Sequence, residues 1–294
     1  IKLFKRQLGF IVGFRYGGSV KYDSSSTASR ILLNPDAEVD TVEVLSEGKM
    51  QSNVETTSWS ALMNISYKLS TNHSISFLFM PNLTGSNNVR YGFSTNSNND
   101  GSILISKTQF YEVRKQMVYQ YKSEHYFPKP KLKIELNGSY TFGKSSAPDF
   151  KNLQYIYNVS GGYTIGGSEY PVQRFYRYLS ENLFDSRLSA ELPVSNKPGL
   201  PRKLKFGGAY QRLDRKSDQY EYFLNTANFS KPFEGNITQY LELSNFSITS
   251  GNNAGVPYHE LELYYQGSQR FWDHSIGYSH TAAGFVMMDY ALIN

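Results

Sequence analysis

The sequence predicts an all-β chain: an antiparallel transmembrane β-barrel segment of about eight long strands, with short turns on one rim and long loops on the other. Three observations predict it. Polar and apolar residues alternate well past the length of an ordinary strand. The connections alternate between short and long. Aromatic residues are abundant, yet there is no apolar run of about 18 residues and hence no candidate membrane helix.

The alternation is clearest in "FYEVRKQMVYQYKSEHYF". Glu112, Arg114, Gln116, Gln120, Lys122 and Glu124 share one parity, and Tyr111, Val113, Lys115, Met117, Tyr119, Tyr121 and Ser123 share the other, mostly aromatic and apolar, one. Successive side chains of a strand point to opposite faces, so one face is ionic and the other aromatic. Ordinary strands run about five or six residues, whereas a tilted strand crossing a bilayer needs about 9–11. The six polar residues are therefore expected to line a watery lumen, with the other face on lipid. The same pattern sets Trp59, Ala61, Met63, Ile65 and Tyr67 against Ser58, Ser60, Asn64 and Ser66. It recurs in "SISFLFM", "LKIELNGSYTF", "FYRYLSENLFDSRLSAEL" and "KLKFGGAYQRL", with further strands expected in "HELELYYQ" and "GFVMMDYAL". The opening "IKLFKRQLGFIVGF" mimics a signal peptide, but glycines break its short apolar run and Arg15 follows where a cleavage site would stand. By parity it is a strand. With no signal segment before it, residues 1–294 are expected to form one partial β-barrel domain belonging to something longer.

Short turns are expected at "STNH", "FPKPK" and "SNKPGLP". Long polar loops are expected at 23–53, 82–102 and 143–173. Such loops would face outside the cell and carry recognition. Their candidate ligand-stacking rings are Tyr91, Phe93, Tyr155 and Tyr157, and one loop is acidic through Asp36, Glu38, Asp40, Glu43 and Glu47.

A mean hydropathy of −0.48 suits a soluble protein, but it also suits a barrel whose strands turn half their residues to water. The 24 Tyr and 19 Phe fit pleated surfaces and a bilayer interface. The absence of Cys excludes disulfide frameworks and thiolate metal sites. The net charge of +5 is scattered rather than clustered, which gives no support for nucleic-acid binding.

No catalytic constellation is present. The five histidines lack metal-ligand spacing, although Asp273, His274 and His280 fall near one another in sequence. "GGYTIGG" and "RYGGS" lack dinucleotide-loop spacing, and there is no GxSxG elbow. No enzyme, cofactor or metal is expected.

At "YKSEHYFPKPKLKIELNGSYTFGKSSAPDF", "RFYRYLSENLFDSRLSAELPV" and "LKFGGAYQRLDRKSDQYEYF" the chain resembles TonB-dependent outer-membrane receptors, in the branch with an upstream carboxypeptidase-regulatory-like domain. "HTAAGFVMMDYALIN" is similar to a later barrel strand of that group. The resemblance implies a 22-stranded, plugged barrel in the outer membrane of a Gram-negative cell. It implies energised uptake of a substrate such as a siderophore, glycan or peptide. The partners implied are outer-membrane lipid, a TonB-type energy-coupling complex acting through the plug, and a surface lipoprotein. This chain would be the central barrel segment, the plug and C-terminal strands lying outside it. Two other readings are a self-contained small barrel acting as a pore or adhesin, and a soluble carbohydrate-binding β-sandwich.

Overall fold

The computed structural model describes residues 2–3, 6–33, 42–96, 101–165, 172–195, 202–226, 231–268, 270 and 273–290. Alternating sequence becomes strand throughout. After β1 (Lys2–Leu3) come β2 (Arg6–Leu33), β3 (Val42–Lys68), β4 (His73–Asn96), β5 (Ile103–Phe127) and β6 (Leu132–Asn158). There follow β7 (Gly162–Ile165), β8 (Val172–Ser195), β9 (Arg202–Asn225), β10 (Ile248–Asn253), β11 (Val256–Leu261), β12 (Tyr264–Ser268) and β13 (His274–Tyr290). The short helix α1 (Ile237–Tyr240) precedes β10.

The long strands form one antiparallel meander, β2-β3-β4-β5-β6-β8-β9. The far edge of β9 is shared, with β13 along 202–218 and β12 along 221–225. Among the described residues the sheet is not closed: β2 carries only the two residues of β1 on its outer edge, and β13 pairs only with β9. The architecture is that of a partial barrel segment. Eight strands are long, from the 17 residues of β13 to the 28 of β2.

Register sorts the side chains into two faces. Val12 pairs with Met63, Met63 with Phe79, Phe79 with Tyr119, Tyr119 with Tyr140, and Tyr140 with Phe184. One residue along, Asn64, Leu78, Gln120, Ser139, Asp185 and Gln211 make the matching row on the other face. The apolar row is held by ring contacts, with Phe79 stacked on Tyr119 at 4.9 Å between centroids. Each such cross-strand pair contributes about 0.2–1 kcal/mol. On the polar face, Phe285 lies against Gly207, where an added Cβ would collide with its ring and with the Leu188 carbonyl. The glycine of "KFGGAY" is thus a close-packing position.

The 69–72 and 128–131 turns lie on one rim, as their sequence suggests. "SNKPGLP" falls mostly outside the described residues. The opposite rim corrects the sequence reading. Much of 23–53, 82–102 and 143–173, expected as loop, is strand, because β2, β3, β4 and β6 continue through it. A 24-residue strand such as β4 reaches about 80 Å at ~3.3 Å per residue, far beyond a bilayer. Alternation weakens there as polar residues and glycine come to dominate, but ladder hydrogen bonds do not require alternation. Likewise "HELELYYQ" divides between β11 and β12 rather than forming one strand.

The buried apolar cluster also lies in this distal half. Leu153, Tyr155, Val172 and Leu224 are covered by Phe233 and Leu263 from the segment between β9 and β12, with Ile237 and Tyr240 of α1 packed around them. Asn236 caps α1, its side chain accepting from the backbone N–H groups of Thr238 and Gln239.

Candidate functional site

The six polar candidates of β5 fall on one face, opposite mainly serines, asparagines and a threonine of β4 and β6, with Leu78 and Gly143 among them and Glu135 facing Glu124. Arg114 pairs with Glu112 at 2.9 Å, and Lys122 with Glu124 at 2.7 Å. Ser145 of β6 donates to Glu112. The same face adds Lys133 with Glu135, Lys203 with Glu191 at 3.0 Å, and Arg215 with Glu181. This charge-lined surface begins at the short-turn rim.

Farther along, the polar face carries a feature that parity alone does not show. Between Ala147 and Phe150 the β6–β8 register shifts by one residue, at a bulge where Asp149 takes a φ of 61°. A one-residue shift exchanges the faces of everything beyond it. Phe150 and Asn152, which the numbering of the lower strand would put on the apolar side, therefore join the polar face. Phe150 stacks on Phe175 at 5.3 Å and meets Phe110 edge-on, while the Arg177 guanidinium lies 5.1 and 5.0 Å from the Phe150 and Phe175 centroids. Beside them a hydrogen-bonded chain crosses four strands. Thr108 donates to Asn152, Asn152 to Gln173, and Gln173 to the buried carboxylate of Glu221. Arg177 donates to Gln219, and Gln219 to Asp273. Rings, a guanidinium and ordered amides make a surface suited to stacking and hydrogen-bonding a polar ligand.

The bulge is anchored on the other face. Asp149 accepts hydrogen bonds from Arg174 and Lys151. Burial works to raise its pKa, but the two cations outweigh burial and hold the carboxyl below its ordinary value. The hydrogen bond to Asp149 in turn raises the Arg174 pKa. Arg174, Tyr176, Tyr178, Tyr220, Tyr222 and Tyr265 line an open cavity of about 450 Å³ there. Burial raises the Tyr265 pKa. No composition or spacing signal joins these six residues before register is known.

The aromatic candidates stand in strands rather than loops: Tyr91 and Phe93 in β4, Tyr155 and Tyr157 in β6. Lys107 bridges Tyr91 and Tyr155 at 5.7 and 5.6 Å. Tyr155 is buried beneath Phe233, and Tyr157 packs on Tyr163 at 4.9 Å, whereas Tyr91 and Phe93 remain exposed. Asp36, Glu38 and Asp40 lie outside the described residues. The histidines do not gather. His274 faces Asp218, His280 faces the Tyr210 hydroxyl, and His73 meets His125 at 3.1 Å between Nδ1 atoms. Among the described residues no three His, Asp or Glu side chains are placed to hold a metal ion, and no helix is long and apolar enough to cross a membrane.

No family model matches the chain, and no curated protein matches it. Among solved structures it is similar to BamA from Haemophilus ducreyi lacking POTRA domains 1–3, at 10% identity over 90% of this chain and 76% of that one. The TM-score is 0.11, too low to carry any argument.

Proposed function

We propose that the chain is part of an outer-membrane β-barrel receptor that imports a polar substrate, in the manner of the TonB-dependent receptors it resembles. The observation that carries the reading is the half of the sheet next to the short turns. There β5 from Met117 to Phe127 and β6 from Leu132 to Phe142 each present a mostly apolar or aromatic face backed by a charged one over 11 residues. A tilted strand needs about that length to cross the bilayer. Lipid covers the aromatic face, water fills the charged one, and the distal half projects outside the cell.

Supporting this, the open edges of β2 and β13 expose large apolar side chains, Phe14 at 71% and Ile276 at 78%. Such edges call for neighbouring strands, which favours a wider barrel over a closed eight-stranded one. The Phe110–Phe150–Phe175 surface and its amide chain are then lumenal and meet the substrate, and Tyr91 and Phe93 lie on the projecting outer surface. A glycan or peptide suits rings and amides. A plug would occupy the lumen and carry the contact with the energy-coupling complex, and a surface lipoprotein would dock at the projecting rim. The test is uptake by cells carrying the full-length receptor. Dissipating the inner-membrane proton gradient should abolish uptake and leave surface binding intact. Uptake that continues unchanged contradicts an energised receptor.

A further inference from the structure

Lys115 and Lys144 are directly opposed across β5 and β6 on the face that carries the apolar band. Like charges directly opposite each other destabilise a ladder, so the pair needs a reason. The surrounding register positions hold no acid: Pro81, Leu83 and Gly85 on β4, Met117 and Val113 on β5, Phe142 and Ser146 on β6, and Asn182, Ser180 and Tyr178 on β8. Neither lysine has an ion-pair partner among the described residues, in contrast to Lys122, Lys133, Lys151, Lys203 and Lys216, which all do.

Their height is as particular as their pairing. Going away from the short turns, Lys115 comes two residues beyond Met117 and Lys144 two beyond Phe142, the outermost apolar positions of the two 11-residue spans. The Lys144 ammonium leans back over the Phe142 ring at 5.2 Å from its centroid, toward the band. Two unneutralised cations thus stand at one edge of a surface made of Met117, Tyr119, Tyr140 and Phe142. The complementary molecule is amphipathic, with a doubly ionised phosphate head and hydrocarbon below it.

We infer that Lys115 and Lys144 together bind the phosphate of an anionic lipid in the outer leaflet, whose acyl chains run down the Met117–Phe142 surface. This rests on the membrane reading above. It adds a specific lipid site to the barrel's outer wall, where a general lipid contact would ask only for an apolar face. The bound lipid neutralises the cross-strand repulsion and fixes the height of the barrel in the bilayer.

The test uses the full-length receptor, purified in detergent and then reconstituted in phosphatidylcholine vesicles. The probes are diphosphorylated lipid A, the same lipid with its phosphates removed, and inorganic phosphate. Lipid A should bind at least tenfold more tightly than its dephosphorylated form, and free phosphate should not compete at millimolar concentration. K115Q/K144Q should lose that discrimination, K115R/K144R should keep it, and K107Q, a lysine higher on the same face, should leave it unchanged. A melting profile for K115Q/K144Q no lower than the native one shows that loss of folding is not the cause. Equal binding of both lipids by the native receptor, discrimination that survives K115Q/K144Q, or competition by free phosphate overturns the lipid site alone while the receptor still inserts. A full-length receptor that stays out of the vesicles overturns this site and the membrane reading together.

Discussion

On β4 the two halves of a single strand obey different rules. From His73 to Leu83 the odd positions are mostly apolar (Ile75, Phe77, Phe79, Pro81, Leu83) and most even ones are serine or asparagine. From Gly85 to Asn96 the even positions stay polar or glycine, but the odd face becomes mixed, with Gly85, Asn87 and Thr95 beside Val89, Tyr91 and Phe93. The pairing with β3 and β5 nevertheless continues in the same register. The same change occurs on β9, where Leu204, Phe206 and Tyr210 give way on one face to Arg212, Asp214, Lys216 and Asp218 before Tyr220 and Tyr222. Backbone hydrogen bonding is continuous across the change; only the solvent requirement differs. Where the faces meet different media the sequence must alternate, and where both meet water it need not.

That contrast explains what was legible. The turns at 69–72 and 128–131, eight long strands and the two-faced organisation of β5 all follow from period and turn residues. The extents of β2, β3, β4 and β6 do not, because Ser, Asn and Gly dominate 82–96 and read as loop, although Val89, Tyr91 and Phe93 keep the period of two. The Phe110–Phe150–Phe175 surface was hidden for another reason. Its register depends on one bulge residue, and "APDF" read by parity alone sends Phe150 to the wrong face. The Pro–Asp pair was the available signal, since Asp tolerates the left-handed conformation that Asp149 adopts.

The largest expected effect separates the halves on one strand and one face. Phe79→Arg in β4 puts a charge into the apolar band and should cost about 2–4 kcal/mol in a refolding titration of the full-length receptor in vesicles. Val89→Arg, ten residues farther along the same face, should cost less than about 1 kcal/mol. Met63→Arg and Asn64→Arg make the companion comparison between faces, with only the first expected to be severe. Equal losses at Phe79 and Val89 break the distinction between the halves.

Next is the buried end of the amide chain. Glu221→Leu removes the acceptor for Gln173 and should cost about 1–3 kcal/mol. Amide exchange should quicken around β8 and β9 in the distal half and stay slow near the short turns. Uniform loosening would show that the halves are one cooperative unit.

A smaller effect is expected at the bulge. Asp149→Ala removes two partly exposed ion pairs and places alanine at positive φ, for about 1–2 kcal/mol. Because the folded-state pKa of Asp149 is lowered, its stabilisation is fully present above the ordinary aspartate value. It is lost as pH falls through the lower folded value, so the cost of Asp149→Ala should shrink in acid. A cost independent of pH would mean that the backbone, not the ion pairs, holds the bulge. Arg177→Ala should be the mildest, about 0.5–1 kcal/mol from its two ring contacts, while weakening ligand capture by the full receptor.

The central claim is that one stretch of sheet separates lipid from water, and β5 offers the most direct measurement of it. Single nitroxide labels at Gln116, Met117, Tyr119 and Gln120 in the vesicle-inserted full-length receptor would be challenged with a lipid-dissolved and a water-soluble relaxation agent. The lipid agent should reach positions 117 and 119 and the aqueous agent 116 and 120, with the preference reversing at each step along the strand. Aqueous access at all four positions would contradict the account.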